Sequence, residues 1–208
     1  VLLTNREGAP FAIDPFAPEL PNWNGLIFGG SGSGKSYSIS QMMLQFCGQK
    51  YAGKPPKIVW IDNGASSEKL IEVMDGEFID LNLNSGIRLN MFDLEAGETK
   101  PTATKIKLIL GCLELILKDD DKVGLPKRDK GLLEEAIFTC YRKAGDRIPQ
   151  LSDLRDILRE HPVTDMRKYA DILFSWTGET AFGRMLDGPS NVKLTKDLVS
   201  IEVKGLEN

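Results

Sequence analysis

The pattern of apolar and polar positions divides the chain into two regions of different secondary structure. Short continuous apolar runs, such as Ile58-Val59-Trp60-Ile61, are typical of strands buried on both faces of a parallel sheet. Between such runs, apolar residues at 39, 42, 43 and 46 have the i, i+3, i+4, i+7 spacing of an amphipathic helix. Strand–helix–strand alternation of this kind predicts an α/β fold.

Further strands are predicted at Leu26-Ile27-Phe28, over Glu77–Leu83 and over Asp197–Lys204. Ser66 and Ser67 are candidate N-caps for a helix that lies between two of these strands. Residues 1–24 contain four prolines, which favour an extended lead-in over a helix.

Residues 99–187 show helical spacing and no competing strand pattern, so we predict an all-helical insertion there. The α/β core would then comprise residues 1–98 and 188–208, with further strands expected downstream. Ser152 is the expected cap of one insertion helix, which should end near Pro162. The expected buried stripes are Ile106, Ile109, Leu110 and Leu113; Leu133, Ala136, Ile137 and Cys140; Leu154, Ile157 and Leu158; and Met166, Tyr169, Ala170 and Leu173.

Composition narrows the class of protein. With 208 residues, 41% hydrophobic and 27% charged, the chain is able to bury a core, which excludes disorder as its main state. Its net charge of −4 weighs against non-specific binding of nucleic acid. Three dispersed cysteines and one histidine do not supply a zinc site. The start lacks both a methionine and the layout of a signal peptide, so we expect an excised fragment.

One motif carries recognisable chemistry. The run Gly29-Gly30-Ser31-Gly32-Ser33-Gly34-Lys35-Ser36 fits the Walker A pattern G-x-x-x-x-G-K-[ST]. Successive backbone N–H groups wrap phosphate oxygens when side chains do not block the approach, and the helix that follows directs its free amides at the same anion. The alternative interpretation is a flexible Gly/Ser linker, but such a linker does not require the Lys35-Ser36 pair or a helix after it.

The motif assigns individual roles for binding ATP and Mg²⁺. Lys35 would reach the β- and γ-phosphates, and the Ser36 hydroxyl would ligate Mg²⁺. The amide of Tyr37, at the start of the helix, would reach the α-phosphate. Phe11 and Phe16 are candidates to flank the base, although packing of the lead-in against the sheet is the favoured interpretation.

Hydrolysis also needs a carboxylate near the metal. Asp62 ends an apolar strand and superficially resembles a Walker B residue, whereas the alternative is an aspartate that caps the following turn. Glu68 is better explained as a first-turn acid of a helix, and Asp93 and Glu202 are weaker candidates. Arg184, in a glycine-flanked segment expected to be a loop, is a candidate finger for a neighbouring subunit's γ-phosphate. Its alternative is a surface ion pair with Asp187 or a similar residue.

Several segments together resemble a known family. The Walker A run, Ile58–Ser67, Arg88–Asp93, Phe182–Gly188 and Leu198–Leu206 are similar to the TraC-type ATPases of conjugative type IV secretion systems. The resemblance implies a RecA-like P-loop NTPase sheet with a helical insertion, as a fragment of a larger ATPase domain of the HerA/FtsK group. In that group the Asp-Glu pair of Walker B follows a later strand, which we expect beyond Asn208.

The resemblance also implies a biological setting. By this resemblance, the protein would be a hexameric motor at the cytoplasmic face of the inner membrane, beside other secretion components. It would energise pilus assembly or substrate transfer by Mg-ATP hydrolysis. Three alternatives stay open: a DNA-translocating motor or coupling protein, a small-molecule kinase, and a nucleotide-gated assembly module without turnover.

Overall fold

The computed structural model describes residues 1–5, 7–50, 53–118, 124–192 and 194–206. The chain divides into two compact units. One comprises residues 1–81 and 194–208, and the other comprises residues 82–193. None of the described helices is both long and apolar enough to cross a membrane.

The first unit contains a three-stranded parallel sheet, an N-terminal hairpin, two α-helices and a short 3₁₀ helix. Its elements in chain order are β1 (Leu2–Thr4), β2 (Pro10–Ala12), α1 (Lys35–Cys47), β3 (Ile58–Asp62), α2 (Glu68–Val73), β4 (Glu77–Asp80), β5 (Leu198–Glu202) and the 3₁₀ helix Lys204–Leu206. The order across the parallel sheet is β3-β5-β4, so the last strand along the chain lies in the middle. Leu198, Val199 and Ser200 of β5 are buried, as expected for a central strand of a parallel sheet.

The predicted strand at Leu26-Ile27-Phe28 is wrong for this structure. The segment has no strand partner among the described residues. Leu26 is 82% exposed and Phe28 is 86% exposed. A strand depends on a neighbour that accepts its backbone hydrogen bonds, and an apolar run alone does not supply one.

The other strands are shorter than the apolar patterns indicated. β4 ends at Asp80 because its parallel register with β5 ends at the pair Asp80–Glu202. Of the two candidate caps, Ser67 occupies the N-cap position of α2, but its side chain makes no cap hydrogen bond.

The second unit is helical, as the periodicity predicted. It contains α3 (Ala103–Leu117), α4 (Lys127–Ala144), α5 (Leu151–Arg159), α6 (Thr164–Phe174) and the single-turn helix α7 (Gly183–Leu186). The predicted stripes form its core, with Leu110 and Ile157 partly buried against it. The core also contains Phe92, whose carbonyl accepts a 2.7 Å hydrogen bond from the Tyr141 hydroxyl. The compact helical unit therefore begins at residue 82, before residue 99. The division into an α/β core and an inserted domain at residues 99–187 stays a prediction.

Two local predictions in this unit are corrected. α5 is capped by Gln150 in a capping box with Asp153, and it ends at Arg159. The backbone N–H of Ser152 donates instead to Asp187, at 2.8 Å. The segment expected to be a loop around Arg184 forms α7.

The segment 182–188 is held by close packing. The ring of Phe182 stacks on Trp176, with 4.6 Å between centroids. A Cβ atom at Gly183 would collide with the backbone of Thr177 and Gly178. The Asp187 carboxylate accepts hydrogen bonds from the N–H groups of Ser152 and Gly178, both at 2.8 Å.

Gly183→Ala should therefore destabilise the protein by about 1–3 kcal/mol, because an added methyl group has no room between backbone segments. The matched control is Gly111→Ala, in the interior of α3, where the added methyl group meets open space. That variant should gain about 0.5–1 kcal/mol from the better helix propensity of alanine. Urea unfolding measures both variants, and equal stability of the two would contradict the packing described.

Candidate nucleotide-binding site

The glycine-rich loop at residues 29–36 is shaped by positive backbone angles. Gly32 has φ 75° and Gly34 has φ 88°, a region that residues with a Cβ atom rarely adopt. Gly34 is the N-cap of α1, so the chain passes from the loop directly into the helix. A Cβ atom at Gly29 would collide with the Ser33 hydroxyl, which keeps a side chain out of the cradle. The free amides of the first turn of α1 therefore face the end of the loop.

Lys35 lies across this loop. Its Nζ donates hydrogen bonds to the carbonyl oxygens of Gly29 at 2.7 Å and Gly30 at 2.9 Å. The ammonium group is thus already at the cradle, and phosphate oxygens would replace the two carbonyls as its partners. Ser36 and Tyr37 follow in the first turn of α1, and both side chains are exposed.

These residues fit ATP and Mg²⁺. The loop offers backbone amides, one cation and the Ser36 hydroxyl, which is the donor set that a magnesium triphosphate requires. Among the described residues, no group of three or more His, Cys, Asp or Glu side chains is placed to hold a metal ion. Ser36 is the residue of the motif that would ligate Mg²⁺ when a nucleotide is bound.

Asp62 is buried and fully engaged in its own loop. Its carboxylate accepts hydrogen bonds from the Ser66 hydroxyl at 3.0 Å and from the Ser67 backbone N–H and hydroxyl, both at 2.8 Å. Burial by itself raises the pKa of Asp62, but these donors outweigh it and the pKa lies below its ordinary value. This geometry matches the capping alternative, and a role for Asp62 near Mg²⁺ stays a prediction.

Glu202 was only a weak candidate from the sequence, but it has a structural role at this edge of the sheet. Its buried carboxylate accepts hydrogen bonds from the backbone N–H groups of Gly64 at 3.0 Å, Lys204 at 2.8 Å and Ala65. Burial raises the pKa of Glu202 and these amides lower it more, so the pKa lies below its usual value. Asp62 and Glu202 are register partners at the carboxyl ends of β3 and β5. Together they fix the loop at 63–67.

Arg184 lies in the helical unit, on α7. Its side chain is 64% exposed, and its Nε is 3.3 Å from a carboxylate oxygen of Glu179. The partner is therefore Glu179 and not Asp187, which is occupied by two backbone amides.

The remaining candidates have structural surroundings. Glu68 lies in the first turn of α2. The ring of Phe16 packs against Trp23 of the lead-in and against Phe46 of α1, whereas the favoured interpretation placed it against the sheet. Phe11, by contrast, lines a cavity beside α1.

Comparisons with known proteins agree with this picture. A family model described as the TraG P-loop domain matches residues 1–161. A solved structure of VirB4 of Thermoanaerobacter pseudethanolicus superposes with a TM-score of 0.76 at 21% sequence identity. That match covers 100% of this chain and 58% of the VirB4 chain. No curated protein matches the sequence.

The chain therefore belongs to the TraG P-loop domain family. Its fold is the α/β fold of a P-loop NTPase with a parallel sheet and a helical unit, shared with VirB4. The chain spans only 58% of the length of that solved relative.

The Glu202 carboxylate predicts that the free energy of unfolding depends on pH. Because the folded pKa of Glu202 lies below its unfolded value, its ionised form stabilises the fold above the unfolded pKa of about 4.3. That contribution is lost as the pH falls through the folded pKa. Glu202→Gln should therefore be less stable than the wild type at pH 7, and the gap should close as the pH falls below about 4.

Chemical unfolding between pH 7 and pH 3 measures this gap. Glu72→Gln, at an exposed position on α2, is the matched control and should differ little from the wild type throughout. A destabilisation by Glu202→Gln that is the same at every pH would contradict the role given to the charge.

Proposed function

We propose that this chain is the Mg-ATP-binding motor domain of a type IV secretion ATPase of the conjugative, TraC-like kind. The observation that carries the proposal is the glycine cradle at 29–36 with the Lys35 ammonium group on its carbonyls. Membership of the TraG P-loop family and the fold shared with VirB4 support the same class.

The chemistry of the cradle follows from its donors. Backbone amides at 29–36 and the N-terminus of α1 would hold the phosphates, and Lys35 would neutralise charge on the β- and γ-oxygens. Mg²⁺, when bound through Ser36, supplies further charge neutralisation during phosphoryl transfer. In the full-length protein, the Walker B carboxylates would come from a later strand.

We further propose a hexameric assembly at the cytoplasmic face of the inner membrane, beside other secretion components, that drives pilus assembly or substrate transfer. Support for this setting is the resemblance of the ordered segments to TraC-type ATPases. The net charge of −4 favours it over a DNA-translocating motor, because non-specific DNA binding depends on basic surfaces.

Lys35→Ala should nearly abolish binding of Mg-ATP, because it removes the cation of the cradle while leaving the fold. At about 100 times the dissociation constant, Mg-ATP should stabilise the wild type by about 2.7 kcal/mol if only the folded state binds. The variant should show no such gain.

Thermal unfolding across an ATP titration is the measurement. Lys69→Ala, at an exposed lysine of α2, is the matched control and should keep the full gain. A wild-type melting temperature that does not change with ATP would refute the cradle.

Arg184 is proposed as the residue that each subunit contributes to its neighbour's γ-phosphate. The fixed segment 182–188 presents it at the surface, and its pairing with Glu179 is exposed. Exposed ion pairs contribute only about 0.2–1 kcal/mol, so a phosphate is able to replace Glu179 as its partner.

Arg184→Ala in the full-length protein should lower ATP turnover by about 10³-fold or more, as loss of an arginine finger does, and leave ATP affinity unchanged. The control is Arg128→Ala, which removes another exposed arginine of the helical unit, 3.8 Å from Asp165. Steady-state turnover and calorimetric binding distinguish the two effects. Equal turnover of the two variants would end this assignment.

A further inference from the structure

Helix α3 has a second apolar row on the side opposite the core of the helical unit. The residues that it buries in that core are Ile106, Ile109, Leu113 and Leu117. On the outer side, Leu108 is 59% exposed and Leu115 is 72% exposed. These two leucines are seven residues apart, so they lie about 20° apart around the helix axis and about 10.5 Å apart along it. Two large apolar side chains are therefore left at the surface on one line of the helix.

A glycine lies between these leucines on the same side of α3. Gly111 is three residues after Leu108 and four residues before Leu115, which is the spacing of neighbours on a helix surface. A Cβ atom added to Gly111 would meet open space. The surface therefore has a notch between the two leucine side chains, where the backbone of another chain is able to come close.

The row has the spacing of a helix-packing seam. Thr104 is exposed and lies four residues before Leu108, so the outer face of α3 (Thr104, Leu108, Gly111 and Leu115) has successive steps of four, three and four. These steps are those of the a and d positions along which one α-helix packs on another. The outer side of a surface helix normally carries charged and polar residues instead.

Lysines border this outer face. Lys105 lies to one side of the row and Lys107 to the other, and neither has a carboxylate within ion-pair distance among the residues that the structure describes. The one acidic residue of α3, Glu114, is already engaged. Its carboxylate lies 2.7 Å from Lys130 Nζ and accepts a 3.1 Å hydrogen bond from the backbone N–H of Leu125. The free charge beside the row is therefore positive.

This charge distinguishes between two kinds of occupant. A second copy of α3 would bring the same two lysines and no free carboxylate, because Glu114 is occupied. A helix with aspartate or glutamate beside its own apolar row would pair with both lysines, and opposite charges at the edges of such a seam set the choice of partner. Charge complementarity thus favours an acidic partner helix.

We propose that the outer face of α3 is a docking site for an amphipathic helix of another protein, whose apolar row is bordered by aspartate and glutamate. Leu108 and Leu115 would pack between the apolar side chains of that helix, and Gly111 would allow the two backbones to approach closely. Lys105 and Lys107 would pair with its carboxylates. The inference goes beyond the proposed function and uses no residue of the nucleotide-binding site.

Two synthetic peptides of about three heptads are the probes. Both have leucine at the a and d positions, and one has glutamate at e and g where the other has lysine. Calorimetric binding to the full-length protein is the measurement. The acidic peptide should bind and the basic peptide should not, and added salt should weaken the binding because exposed charges are screened.

Variants at exposed positions locate the binding on α3. Leu115→Glu should weaken the acidic peptide about tenfold or more, since burial of one leucine side chain has about that effect. Val73→Glu, at an 80% exposed position of α2, is the matched control and should leave the affinity unchanged. Lys105→Glu combined with Lys107→Glu should reverse the preference, so that the basic peptide binds. Unchanged melting temperatures show that the variants remain folded.

Four outcomes would overturn the proposal. The full-length protein could bind neither peptide or both equally, or its preference could survive the double lysine change. If the acidic peptide binds the 208-residue chain but not the full-length protein, a later segment of the same polypeptide occupies the face. If sedimentation shows self-association of the wild type that Leu115→Glu abolishes, the occupant is a second copy.

Discussion

An anion can be held by backbone amides only where the chain turns so that several N–H groups point the same way. In this protein the glycines that permit such a turn lie at residues 29–36. Left-handed angles at Gly32 and Gly34 turn the chain into α1, and the Lys35 ammonium group rests on two carbonyls of the loop. The helix α1 extends from this turn and has free backbone amides at its N-terminus. Its side binds the N-terminal hairpin through Gln45.

Two buried and hydrogen-bonded carboxylates stabilise the carboxyl edge of the parallel sheet. Asp62 and Glu202 end adjacent strands, and each accepts several donors from nearby backbone and side chains. A buried carboxylate without such partners would be costly. Here the donors keep both pKa values low and make the loop at 63–67 a defined part of the sheet edge, where ligands of α/β proteins commonly bind.

In the helical unit, the segment 182–188 is held in place by contacts of three of its residues. Phe182 stacks on Trp176, Gly183 meets the backbone of a neighbouring turn, and Asp187 binds two amides. Arg184 alone is held only by an exposed ion pair. Under the proposed function, this support would present the exposed guanidinium of Arg184 to the phosphate of a neighbouring subunit.

Local sequence determined the cradle, the helical stripes and the alternation of strands and helices, because each depends on residues within a few positions of one another. The spacing of the glycines in Gly29–Ser36 was sufficient to predict the cradle. Apolar residues three and four positions apart were sufficient to predict α3, α4 and α6. Pairing over long separations was decided only by the tertiary structure. The Leu26–Phe28 run finds no strand partner, β5 returns between β3 and β4 after more than a hundred residues, and Glu202 reaches the amides at 64 and 65. The hydrogen bonds between Gln45 and Leu2 that join the hairpin to α1 have the same origin, since no short-range pattern records which distant backbone groups a side chain will meet.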